Sequence, residues 1–552
     1  MTPATQAALP FLNAAGWFLL LFVLIWSLRG VWRNYAAATP GWQWWVLTGA
    51  MVLCFRWPLL GVPHEMNPDE SQLIAGALTL RHDPVFWRSV DGGTAGPLDF
   101  YPLLPAAWAD GMGSYAIARL IGLAMAFGAI VLAGETVALL TGATLARIAV
   151  LPALAATAFT TSPDFIHYST ELMPVLLLAA AGYALVRQSL EPAPRWLWLS
   201  ALLLGCAVWA KLQVAPIAAG LWLLAAGCEL RAGRKQALVA LFAGALLPTL
   251  VCLVVATLTG QAENLIITYG LNNFGYVSAS HLSWPVILAV QWRNVLAEGY
   301  FGCWLAGAGI CLVPVGLWFA RNAPKVARCR VLATVLLLVI GALCAIVPSR
   351  PSAHHLELIP LPLIWVTGTV LALAWLPMSA AASARRRLGL GGLFLVCSLG
   401  PQLAWRVAGV DAYAAINAAG LKPAHRELTT LVRTYSASDE PLAIWGWRCS
   451  LYVEAGRRQA TRQAQTEPQM TTGRFRPYYL RRYFEDFKAS NPPVFADAVG
   501  PGAFAYDDRI GAHESFPPLR AWVESRYTQL TDLDGTRLYV RNDRLTGPKK
   551  SE

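Results

Sequence analysis

Asp69 and Glu70 are adjacent carboxylates in the stretch Pro63-His64-Glu65-Met66-Asn67-Pro68-Asp69-Glu70-Ser71-Gln72, which follows a long apolar run. A positioned carboxylate can take a proton from a hydroxyl, so Asp69 is a candidate general base. Glu70 would orient it or exchange roles with it. Helix chemistry offers a plainer role. Asn67 can cap a helix, Pro68 suits its first turn, and Glu70 stands where a capping box wants an acid. That accounts for Glu70 well, and for Asp69 only as an acid that suits the helix dipole.

Other polar residues with chemical capacity fall in a few short stretches. Asp164, His167, Tyr168 and Glu171 lie between Ser162 and Glu171, and Lys211 interrupts the apolar Trp209-Ala210-Lys211-Leu212-Gln213. Arg350, His354 and His355 lie between Pro348 and Glu357. Lys211, Arg350, His354 and His355 are suited to hold a phosphate through charge-assisted hydrogen bonds. Glu171, His167 and Tyr101 complete the set of candidate substrate contacts. Each has a plainer alternative. Lys211 can snorkel to lipid headgroups, Glu171 can cap the helix starting near Leu172, and Arg350 can anchor its loop to phospholipid phosphate. The two histidines can be ordinary interface residues. No metal site is assigned, because neighbouring histidines diverge in an extended loop and no Cys pair stands at metal spacing. No cofactor is called for, and a divalent cation stays open.

These residues sit in a chain of 552 residues that is 56% hydrophobic and only 14% charged. Such a balance describes a polytopic membrane protein. The formal charge of +11 does not point to nucleic acid, because no basic stripe is interleaved with aromatic residues. Apolar runs near Phe11–Val31, Trp42–Leu60, Tyr115–Leu140, Leu145–Thr161, Leu172–Val186 and Trp196–Ala210 open the series. Leu212–Cys228, Ala237–Leu258, Tyr300–Phe319, Val331–Val347, Leu358–Leu376 and Leu388–Val407 complete it. About twelve spans are therefore expected, some of them short for a bilayer core of roughly 30 Å. Lys and Arg cluster after every second run, as at Arg231, Arg234 and Lys235, or Arg385, Arg386 and Arg387. Those connections are read as cytoplasmic. The alternate connections then face outward: 62–113, Ser162–Thr170, 260–299, Ser349–Glu357 and everything from Ala408 on.

Within the first outer loop, Pro68 to Leu80 reads as a helix with Leu73, Ile74, Ala77 and Leu78 on one face. The loop at 260–299 is polar and aromatic, and is read as a lid, an acceptor surface or a solvated spacer. The chain divides into a transmembrane part, 1–407, and a soluble domain, 408–552. In the latter, Leu442–Trp447 and Pro493–Val499 read as strands, and Pro477–Ser490 and Phe516–Tyr527 as helices. Asp534-Gly535 marks a hairpin. This alternation predicts a small α/β domain.

The Asp-Glu pair within Asn67-Pro68-Asp69-Glu70-Ser71-Gln72 resembles the first-loop acidic motif of GT-C glycosyltransferases. It is most similar to their polyprenyl-phosphate-sugar branch, which includes protein O-mannosyltransferases and the lipid A aminoarabinose transferase. Ala210-Lys211-Leu212-Gln213 resembles that branch's Lys-Pro-polar segment, with Leu212 where Pro is usual. Ala353-His354-His355-Leu356-Glu357-Leu358-Ile359-Pro360 resembles its His-Tyr-Leu-x-x-x-Pro stretch, with His355 where Tyr is usual. The strand at Ile444-Trp445-Gly446 and the ending Leu538-Tyr539-Val540-Arg541 resemble its C-terminal periplasmic domain. The resemblance implies a GT-C-like fold in a bacterial inner membrane, with the active site facing the periplasm. It implies an inverting transfer of a sugar from a polyprenyl-phosphate donor to a hydroxyl of an envelope glycan, glycolipid or protein. Asp69 would be the base, Glu70 its partner, and Lys211, Arg350 and His354 would bind the departing phosphate. The alternative is a transporter or flippase for a lipid-linked or envelope substrate. About twelve spans suit one, whereas the long outer loops and the absence of a clear repeat between halves do not.

Overall fold

The computed structural model describes residues 3–32, 40–109, 112–278, 282–321, 323–347, 352–375, 380–408 and 426–545. The chain forms two compact units. The first comprises Met1–Leu59, Gly122–Val251 and Ser280–Ala419, and the second Leu60–Ile121, Cys252–Ala279 and Gly420–Glu552.

Every one of the predicted apolar runs is helical. Among the described residues, eight helices are long and apolar enough to cross a membrane, or nine if the bent pair Arg386–Ser398 and Gly400–Val407 is one span. The runs near 145–161 and 196–210 form the shorter apolar helices Ala143–Phe159 and Pro194–Ala210. The fold is that of a polytopic membrane protein. In the first unit, glycines let helices approach until backbones touch. A Cβ on Gly307 would lie 2.1 Å from the Cys397 carbonyl oxygen, and one on Gly205 would lie 2.3 Å from that of Ala245. Close approach at small residues is the usual way apolar helices associate where lipid removes the hydrophobic drive.

The second unit is built on a four-stranded sheet: β1 (Leu442–Gly446), β2 (Val494–Ala498), β3 (Tyr527–Leu533) and β4 (Thr536–Arg541). The strand order is β1-β2-β4-β3, with β1 and β2 parallel and the other pairs antiparallel. The predicted hairpin forms at Asp534 and Gly535, whose φ angles of 49° and 75° match the twist of the flanking strands. Alternation along the strands sends two apolar sets to opposite faces. Leu442, Ile444, Val494, Ala496, Leu538 and Val540 pack with Leu428 and Val432 of the helix Arg426–Tyr435 and with the helix Ser450–Ala455. Ala443, Trp445, Phe495 and Tyr539 pack with the helices Arg476–Ser490 and Pro517–Arg526. The small α/β arrangement is as expected.

The first of these cores also contains Ala75, from the helix Pro68–Leu80. The Gln459 N–H donates to Thr79 Oγ1 at 3.0 Å, the Asp91 N–H donates to the Arg462 carbonyl at 2.7 Å, and Arg482 forms a buried ion pair with Asp91. The tail therefore folds in one unit with the loop that carries the acidic pair. The segment 260–299 is mostly helical rather than loop. It contains a π-helix at Leu265–Leu271 and α-helices at Asn272–Ser278 and Trp284–Ala297. Leu265, Thr268 and Tyr269 bury one face of the first at helical spacing.

Candidate active site

Asn67 caps the helix Pro68–Leu80, as its position predicts: its Oδ1 accepts the Asp69 N–H at 2.9 Å. Pro68 opens the first turn, where a missing N–H costs nothing. Glu70 does more than complete a cap. Its Oε2 accepts the Met66 N–H at 3.1 Å, and Arg119 grips both carboxylate oxygens at 2.7 and 2.8 Å. The same guanidinium donates to the carbonyls of Val62 and His64, each at 2.6 Å. Both side chains of this ion pair are fully buried. A bidentate buried pair of this kind fixes the geometry of the carboxylate and engages both of its oxygens. Asp69, one residue earlier on the helix, is half-buried. Glu65 joins the group through Ser71, whose Oγ donates to it. Burial pushes the Glu65 carboxyl above its ordinary value, and the charge of Glu70 adds to that push.

Sequence reasoning missed Arg119. The available signal was a lone arginine within the apolar run Tyr115–Leu140, since a charge there needs a partner. Tyr101 belongs to the same unit as the acidic pair, and its hydroxyl donates to the Pro84 carbonyl at 2.8 Å.

The first unit gathers Lys211, Glu171, His354 and His355. The helix Pro194–Ala210 ends at Lys211, whose backbone is extended (φ −148°, ψ 121°), and a new helix starts at Ala215 with Pro in its first turn. This break aims the lysine inward. Lys211 is 5% exposed and forms an ion pair with Glu171, while also donating to Thr170 Oγ1 at 2.6 Å. Neither plainer reading matches this contact. The ammonium is paired rather than snorkelling, and Glu171 makes no side-chain cap to the helix Leu172–Leu190. Burial alone would push the Glu171 carboxyl up, but the charges of Lys211, His354 and His355 outweigh it and hold the group well below the usual carboxylate range.

His354 and His355 lie on a 3-10 turn, Ala353–Leu358, rather than in extended chain. The turn brings their ring centroids within 4.8 Å of each other, so the expected divergence does not occur. His355 Nε2 lies 3.9 Å from Glu171, and His354 Nδ1 lies 3.3 Å from Asp164. One ligand atom each from Glu171, His354 and His355 falls within 4.8 Å of the others, a set able to hold a metal ion. Lys211 already occupies the carboxylate of that set, so a cation would have to displace an ammonium. His167 Nδ1 donates to the Pro163 carbonyl at 2.8 Å, and its ring lies 5.7 Å from that of His354. Glu357 accepts from Ser169 within the same region. Arg350 lies outside the described residues.

No family model matches the chain, and no curated protein matches it. Among solved structures, ArnT from Cupriavidus metallidurans in the apo state matches with a TM-score of 0.57 at 13% identity. The match covers 92% of this chain and 99% of that one. The chain has this fold.

Proposed function

We propose that the chain is an inverting glycosyltransferase of the bacterial inner membrane, acting on the periplasmic side with a polyprenyl-phosphate sugar as donor. The acceptor is a hydroxyl of an envelope glycan, glycolipid or protein. The acceptor oxygen attacks the anomeric carbon, the bond from that carbon to the phosphate oxygen breaks, and the hydroxyl proton passes to the Asp69 carboxylate. Polyprenyl phosphate leaves. Lys211, His354 and Arg350 are assigned to the phosphate, whose charge grows as the bond breaks. Lys211 would reach it by sharing or exchanging its bond to Glu171. His355, His167, Glu171 and Tyr101 are assigned to positioning these groups and the substrates.

The observation that carries the reading is the grip of Arg119 on Glu70 next to a half-buried Asp69. It supports a division of labour within the acidic pair: Glu70 and Arg119 hold the loop, and Asp69 takes the proton. The fold likeness to ArnT, a GT-C lipid A aminoarabinose transferase, supports the reaction class. Asp69→Asn keeps size and hydrogen bonding but removes the base. Expected are normal expression, retained binding of the lipid donor and a loss of about 10²–10⁴ in transfer rate. Near-normal turnover by a well-folded Asp69→Asn protein would refute the assignment. Mass spectrometry of polyprenyl-phosphate sugars and envelope glycans in a deletion strain identifies the substrates: one donor should accumulate and one glycan disappear.

A further inference from the structure

A pocket lies within the first unit, walled mainly by small and aliphatic side chains such as Ile364. Two carboxylates, Glu298 and Glu357, line it together with three aromatic rings, Phe165, Phe301 and Trp304. The rings are neighbours: Phe165 and Phe301 centroids are 5.9 Å apart, and Phe301 and Trp304 centroids 6.1 Å apart. Glu298 and Glu357 are 7% and 9% exposed. Each accepts a hydroxyl, from Ser162 and Ser169 respectively. The charge of Asp164 acts unfavourably on Glu298. Among the described residues, neither is ion-paired with a Lys or Arg. Trp304 is 1% exposed, and its Nε1–H has no hydrogen-bond partner among the described residues.

Two carboxylates in an apolar cavity are costly unless a positive charge joins them. Burial, with the charge of Asp164 adding to it, pushes the Glu298 carboxyl up to about 7, so a modest favourable contact would restore its charge. Aromatic faces attract the same kind of guest, because a ring quadrupole stabilises an organic cation. The apolar remainder of the wall suits a hydrocarbon body. We propose that this cavity binds an amphiphile with a primary ammonium head, its N–H groups donating to Glu298 and Glu357 and its chain lying along the apolar wall. Neither glutamate is given a part in transfer, although Glu357 lies in the same region as Ser169 and the Glu171 cluster.

The test uses the full-length protein in a non-ionic maltoside detergent, titrated calorimetrically with dodecylamine and with dodecanol. Dodecylamine should bind saturably and at least about tenfold tighter than the alcohol, roughly the worth of one charge-assisted hydrogen bond. The isosteric E298Q/E357Q variant should lose that preference while keeping its thermal unfolding temperature; E298Q alone should lose part of it. Equal affinity for the two probes, or an undiminished preference in the folded double variant, would overturn the proposal. Repeating the titration in nanodiscs distinguishes the natural sources. Weaker dodecylamine binding in phosphatidylethanolamine than in phosphatidylcholine supports the proposal with a phospholipid head as guest. Equal saturable binding in both supports it with a free amphiphilic amine as guest.

Discussion

Glu70 and Arg119 make a fully buried bidentate pair, and such pairs are most sensitive to the loss of one member. Arg119→Ala should lower stability by roughly 3–5 kcal/mol, because it strands a charge in the interior. The double change Arg119→Met/Glu70→Met should cost less than the two single changes together, which thermal unfolding in detergent can measure. A double variant as unstable as the sum would show that the two groups act independently. Lys211 and Glu171 separate stability from function in the same way. Lys211→Ala should weaken donor binding and destabilise the protein. Adding Glu171→Ala should restore stability without restoring donor affinity. If donor affinity is unchanged in Lys211→Ala, the lysine has only its structural bond to Glu171.

Elements position these residues through breaks and turns. Lys211 points inward because one helix stops before it and another restarts after it, and Gln213 secures the break by donating to the Cys344 carbonyl at 2.6 Å. The β3–β4 hairpin depends on Gly535 more strictly. Its φ is 75°, and a Cβ there would lie 2.6 Å from Ala503 N and 2.7 Å from Pro501 O. Gly535→Ala should therefore destabilise the second unit by more than about 1 kcal/mol, through both the backbone conformation and the clash. Differential unfolding of the purified protein reads this directly. The turn is remote from the acidic loop in sequence, so lost transfer activity in this variant should track lost fold and recover at low temperature.

The second unit carries a built-in pH dependence. Burial, with the charge of Glu65 adding to it, raises the Glu454 carboxyl from an ordinary value of 4.5 to about 7. Between those pH values the folded protein retains a proton that the unfolded chain releases. Stability should thus fall as pH rises from about 4.5 to 7, and level off above. Glu454→Gln should flatten that fall and raise the unfolding temperature at pH 8 relative to the parent. An identical pH profile in the variant would exclude Glu454 as its source. The helix Ser450–Ala455, which carries Glu454, shares a core with the helix of the acidic pair, so this titration is coupled to the loop's stability.

Local patterns in the chain were enough to foresee much of this molecule. Apolar runs long enough for helices, Asn67 before Pro68, alternating strands and Asp534-Gly535 each act over a few residues, where backbone sterics and periodicity dominate. The residues that form the ion-paired cluster around Lys211 were likewise visible as rare polar groups in apolar surroundings. What could not be read was who meets whom. Arg119 reaches Glu70 across 49 positions, and Ser169 reaches Glu357 across 188. The union of the tail with the acidic loop, the convergence of His354 and His355 on Glu171, and the carboxylate-lined cavity are of the same kind. Such pairings leave no mark on the neighbouring sequence, because they arise when packed helices and sheet faces bring distant charges into an interior that will not hold them alone.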